Sequence, residues 1–170
     1  MENSVRQRTD VLTRLMTDYF TGDPKRIQHF IKVHSFSALI GRAEGLSERE
    51  QEILEAAALV HDIGIKPAEE QYGRCDGKLQ EQLGPPEAQK LLCKAGFSQE
   101  ITQRACFLVS RHHTYTDIDG RDLQILIEAD FLVNLYEDGC GSEAAETALS
   151  KVFVTETGKA LCRSMFGLRP

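Results

Sequence analysis

Ala58-Leu59-Val60-His61-Asp62-Ile63-Gly64 is the stretch on which the reading of this chain turns. It closes a helix whose start is marked by Ser47-Glu48-Arg49-Glu50, a capping-box pattern in which the serine caps and the later glutamate reaches back. Ile53, Ala57 and Val60 recur at helical spacing, and His61 continues their apolar stripe before Gly64 ends the helix. An imidazole and a carboxylate thus fall at the inner end of a core helix. Burying such groups is costly unless they are paired or bound to a cation.

The same period runs outward in both directions, with almost no strand-like alternation. A first helix is expected over Val5–Phe20, and a second is capped by Asp23, opened by Pro24 and carried to Ala43. Ile65 to Gly84, with Gly73, Gly77 and Gly84, reads as a long irregular connection of the kind that serves as a lid. Pro85-Pro86 then starts a helix ending at Gly96, and Ser98 caps another that reaches His112-His113. An apolar helix covers Leu123–Tyr136, and shorter helices follow the Gly139–Gly141 break. Without repeats, low-complexity tracts or linkers, the expectation is an all-α, single-domain bundle over residues 1–170.

Two more ionisable residues sit on apolar helix faces. His34 lies among Ile27, Phe30, Ile31 and Ala38, and Asp130 among Leu123, Leu126, Ile127 and Val133. Each has an ordinary explanation: a hydrogen-bonded core histidine, a buried aspartate paired with an arginine, or, for Asp62, a turn former. Together these explanations require independent misplacements on separate helices. A divalent cation held by His34, His61, Asp62 and Asp130 accounts for all of them at once. Such a donor set does not distinguish Mn, Fe, Co, Ni and Zn.

Composition narrows the partners. The chain is 41% hydrophobic and 27% charged with a net charge of −6, and it carries no dense Lys/Arg block, which disfavours long nucleic acid. No apolar run approaches the ~18–20 residues needed to span a bilayer, so no membrane partner is expected. The polar N-terminus has no apolar signal core, and five scattered cysteines without C-x-x-C spacing fit reduced thiols in a cytoplasmic protein. Cys93 and Cys106 are read as core residues.

The order His34, His61-Asp62, Asp130 resembles the H…HD…D signature of the HD superfamily. Ala58–Gly64 is similar to its HDIG box, and Glu128-Ala129-Asp130-Phe131-Leu132 to the segment carrying its last aspartate. The resemblance covers about residues 26–136. It implies an all-α bundle with a divalent metal, one per chain, and hydrolysis of a phosphate ester by metal-activated water. The substrate would be a nucleotide or another small phosphorylated metabolite, and a homodimer stays open. Asp62 would serve as ligand and base, with His112 or His113 contacting phosphate or donating a proton. Being adjacent on a helix, these two point about 100° apart, so one is expected to face the site. Lys66, Arg74 and Lys78 could clamp phosphate and Tyr115 could stack on a base, while Glu69 and Glu70 read as surface.

The pattern also departs from parts of that superfamily. His112-His113 resembles the paired histidines of binuclear cyclic-di-GMP phosphodiesterases, but the chain has Gly84-Pro85-Pro86 where those enzymes carry a further histidine, and it lacks their GYP motif. Ile65 stands where bacterial deoxynucleotidases of the superfamily place a catalytic glutamate. Two alternatives accompany the phosphohydrolase reading: a di-iron oxygenase, and a non-enzymatic ligand-sensing module that keeps its metal for structure.

Overall fold

The computed structural model describes residues 4–170, and among them the backbone forms helices only. In chain order these are α1 (Val5–Tyr19), α2 (Pro24–Ala43), α3 (Glu48–Ala58), α4 (Ile65–Tyr72), α5 (Gly77–Ala95), α6 (Gln99–Val109), α7 (Arg121–Glu137), α8 (Ser142–Lys151) and α9 (Glu156–Phe166). The expected all-α bundle is present; of the range 1–170 given for it, residues 1–3 lie outside the described residues.

The centre of the bundle is α3, which packs against α1, α2, α6 and α7. Its capping box forms as the sequence suggests, with Ser47 and Glu50 bonding reciprocally. Ala56, Ala57 and Ala58 are almost wholly buried, and three consecutive small residues let neighbouring helices approach on every side. Helix α2 lies against both α3 and α7, so it has two inward flanks. That double contact decides which of its histidines enters the site.

Three local expectations need correction. The third helix ends at Ala58, before the His61-Asp62 pair; the chain then runs through tight turns, with Val60 N bonded to Ala57 O, Ile63 N to Val60 O and Ile65 N to Asp62 O. These three-residue closures turn successive side chains more sharply than an α-helix would. Residues 65–84 are not an irregular lid. Pro67 is tolerated in the first turn of α4, where its missing N–H is not needed, and Asp76 caps α5 by accepting from Leu79 N at 3.2 Å. Only Gly73–Asp76 separates these helices, and Pro85-Pro86 lies inside α5. Finally, Cys93 is exposed and Cys106 half-buried, its thiol donating to Pro85 O at 3.6 Å; all five cysteines are free.

Helix α5 is docked by a close backbone approach. A Cβ on Gly64 would come within 2.7 Å of Gln80 O and 2.8 Å of Gly84 N, and one on Gly84 within 2.7 Å of Val109 Cγ1. Two glycines therefore meet where the His-Asp turn crosses α5. At the other end, α8 and α9 pack on each other and on α7. Fully buried Glu128 of α7 accepts from Gln124 Nε2 at 2.8 Å, Val154 N at 2.7 Å, Thr155 N at 2.9 Å and Thr155 Oγ1 at 2.5 Å. No helix among the described residues is long and apolar enough to cross a membrane.

Candidate metal centre

Helix α2, the turn after α3, and α7 bring His29, His61, Asp62 and Asp130 to one point. His29 Nε2 lies 3.1 Å from His61 Nε2, and 3.2 Å from both Asp62 Oδ2 and Asp130 Oδ1. His61 Nε2 is 3.5 Å and 3.4 Å from the same two oxygens. Atoms ~3.0–3.5 Å apart have the spacing of ligands about a common ion with bonds of ~2.0–2.2 Å.

The outer hydrogen bonds prepare these rings. His61 Nδ1 donates to Ala58 O at 2.8 Å, which leaves Nε2 of the neutral ring with its lone pair towards the cluster. His29 Nδ1 is 2.9 Å from Glu137 Oε2, whose other oxygen holds Lys32 Nζ at 2.7 Å. Asn134, one turn beyond Asp130, donates to Asp130 Oδ1 at 3.0 Å. Imidazoles oriented by carbonyl or carboxylate partners are characteristic of metal sites.

Burial opposes charge on His29, but hydrogen bonds with Asp130 and Asp62 outweigh it and push its pKa up to about 11. Burial likewise favours neutral carboxyls, yet His29 and His61 hold Asp130 below the usual carboxylate range. Burial also opposes charge on Asp62, but the histidines gathered round it, His61, His112, His113 and His29, outweigh burial and hold its carboxyl well below that range. The pocket thus concentrates negative charge and draws in a positive one, a proton or a cation. The residues fit a divalent metal.

Asp62 has a second side. Its Oδ1 lies 3.0 Å from His112 Nε2 and 3.8 Å from His113 Nε2, and these three residues form another cluster with metal-ligand spacing. His112 is fully buried and donates from Nδ1 to Val109 O at 2.8 Å. Both histidines face the site, contrary to expectation, because α6 ends at Val109 and they occupy the turn after it, rings 4.0 Å apart.

The structure replaces His34 with His29. His34 Nε2 points instead to Glu55 Oε2 at 3.2 Å on the α3 flank of α2, which leaves it half-buried and outside the cluster. His29, with Val33, Ser37 and Ile40, belongs to the buried stripe, while Ile31 is exposed. That stripe was the available signal for His29.

A cavity of about 440 Å³ opens onto the cluster, lined by Asp23, Lys25, Arg26, His29, Asp62, Cys75, Gln80, His113, Asn134 and Glu137 among others. Lys66, Arg74, Lys78 and Tyr115 do not line it. Lys66 Nζ donates to Tyr19 O at 2.8 Å and lies over the Tyr19 ring, and Arg74 is paired with Asp76 at the surface. Lys78 is exposed, and Tyr115 meets Phe131 edge to face. Glu70 is exposed, and Glu69 is held by Arg26, Nη1 to Oε2 at 2.9 Å. The basic residues at the cavity are instead Lys25 and Arg26, next to the start of α2.

The comparisons with known proteins agree with this geometry. The sequence model of the HD domain matches residues 26–149, most of the chain. A crystal structure described as a predicted HD superfamily hydrolase from an uncultured Thermotogales bacterium is similar at 25% identity, over 95% of this chain and 84% of that one, with a TM-score of 0.63. A search of curated protein sequences gives no match. The H…HD…D order, read with His29 in first place, the helical bundle and the match over residues 26–149 have one explanation: the chain belongs to the HD-domain family, a family of metal-dependent hydrolases.

Proposed function

We infer that this chain is a phosphohydrolase of small phosphorylated, nucleotide-like metabolites, and that His29, His61, Asp62 and Asp130 hold its divalent cation. One observation carries the reading: His29 Nε2 and His61 Nε2 face each other at 3.1 Å, with oxygens of Asp62 and Asp130 within 3.5 Å. Two imidazole nitrogens and two carboxylates at that spacing require something positive between them. When bound, a divalent ion supplies Lewis acidity towards a phosphoryl oxygen and acidifies a water.

The chain's own residues supply the remaining functions. Asp62 Oδ1 faces His112 and His113, where it can accept a proton from an attacking water. Lys25 at the cavity makes no salt bridge among the described residues and is free to meet a phosphate. Arg26 beside it is already committed to Glu69 and Asp23. The cavity's size suits a mononucleotide better than a polymer.

The test is phosphate release from nucleoside mono-, di- and triphosphates, cyclic nucleotides and sugar phosphates by protein loaded separately with Mn, Fe, Co, Ni and Zn. Turnover that needs the metal and disappears in Asp62→Ala is expected. A metal-loaded protein inert towards all of them would instead favour a ligand-sensing module. The cluster on Asp62 Oδ1 favours a second reading, two irons and oxygen chemistry; two irons per chain with oxygen-dependent turnover would establish it.

A further inference from the structure

Gln80 is a buried amide in the first turn of α5, and its orientation is fixed from one side. Its Nε2 donates to Cys75 O at 2.9 Å; turning the amide over would set two acceptors against each other. Gln80 Oε1 therefore faces His113 Nε2, 3.0 Å away. An amide oxygen only accepts, so His113 Nε2 must carry a proton, in the neutral or the charged ring. Nitrogen that carries a proton has no lone pair for a metal.

The rest of that helical turn holds the same residue in place. Gly77 lies directly beneath the His113 ring, since a Cβ there would come within 2.9 Å of His113 Cγ. Glu81 accepts from His113 N at 3.0 Å and from Thr114 Oγ1 at 2.9 Å. Gly77, Gln80 and Glu81 share one face of α5, and together they grip the turn carrying His113.

We propose that Gln80 is a positioning residue that fixes His113 as an Nε2–H donor to its own Oε1, beside Asp62 Oδ1, and keeps it out of metal coordination, so that the chain holds one cation and not two. The proposal rests on the reading that the His29–His61–Asp62–Asp130 cluster binds a cation. It excludes His113 as a ligand of a second ion and assigns its N–H to hydrogen bonding in the cavity.

The test uses the full chain, ¹⁵N-labelled and metal-free, with long-range ¹H–¹⁵N spectra of the histidine rings, followed by titration with cobalt(II). A protected His113 Nε2–H is expected in the parent and in Gln80→Glu, which gives up the bond to Cys75 O but keeps an acceptor for His113, and not in Gln80→Leu. Cobalt should bind at about one per chain in the parent and in Gln80→Glu. Releasing His113 in Gln80→Leu should raise this to about two, and adding His113→Ala should return it to about one. Nε2 of His113 found unprotonated in the parent, or two cobalt ions in the parent, would overturn the proposal. Absence of any cobalt binding would refute the underlying metal reading, while the ring spectra still decide the role of Gln80. Should Gln80→Leu fail to fold by circular dichroism, the parent and Gln80→Glu spectra and stoichiometries decide the matter.

Discussion

His112 Nε2 and Asp62 Oδ1 are 3.0 Å apart, on the oxygen of Asp62 that His29 and His61 do not use. One carboxylate therefore faces the cation cluster with Oδ2 and a histidine pair with Oδ1. The chemistry of the site depends on Asp62 keeping that double orientation, and several measurements probe the groups that keep it.

Exchanging the two histidines of α2 separates the geometry from the sequence expectation. His29→Ala should remove bound metal, lowering affinity by roughly a hundredfold or more, beyond the ~10–100-fold typical of outer partners. His34→Ala should leave metal content unchanged and cost only its bond to Glu55. Elemental analysis of the purified variants checks both.

Glu137 orients His29 from behind, as a carboxylate accepting from Nδ1. Glu137→Gln should weaken metal binding by about 10–100-fold with the fold intact. Competition with a chromophoric chelator reads this directly.

Acid and base should destabilise the metal-free protein by different groups. The pKa of His29 is raised to about 11, so its contribution is complete below ~6.5 and lost as pH rises towards 11. Asp62 and Asp130 are depressed, so their contribution is present above ~3.9 and lost as pH falls through their folded values. Thermal melts in chelator should therefore show highest stability between about pH 4 and 6.5 as far as these groups decide it. Metal displaces the His29 proton, so binding should release acid and tighten as pH rises.

Glu128 tests whether the C-terminal helices belong to the bundle. Glu128→Ala removes the acceptor for four bonds and should cost about 2–5 kcal/mol. Denaturant unfolding measures the loss, and limited proteolysis should show earlier cleavage near Val154.

Gly64→Ala places a methyl group against the backbone of α5 and should cost about 1–3 kcal/mol, lowering Tm by roughly 3–10 °C. Calorimetry of the metal-free protein checks this without interference from the cation.

Much of this architecture is legible in the sequence because caps and apolar periods mark helices independently of their partners. Ser47, Asp23 and Ser98 start helices where they should, and His61, Asp62 and Asp130 stand out as ionisable residues in apolar surroundings. A single amphipathic stripe does not single out His29, because α2 has two inward flanks; His34 faces Glu55 on α3, and His29 faces Glu137 on α7. The helices between residues 65 and 84 were hidden by glycine and proline that weaken helix propensity. Tertiary contact compensates, with Gly84 meeting Gly64 and Gly77 lying under His113. Which lysine borders the cavity is not legible in the sequence, because it depends on how α2 enters the bundle.

The crossing of Gly64 and Gly84 also limits how this protein can diversify. With hydrogen atoms as the only side chains at the contact, a methyl group on Gly64 would meet the backbone of α5 and one on Gly84 would meet Val109 of α6, so neither position takes a larger residue without a shift. That wall of the cavity is inelastic. Room for change lies at the opposite wall with Lys25, which makes no salt bridge among the described residues, whereas Asn134 and Glu137 there hold Asp130 and His29 and are fixed with them.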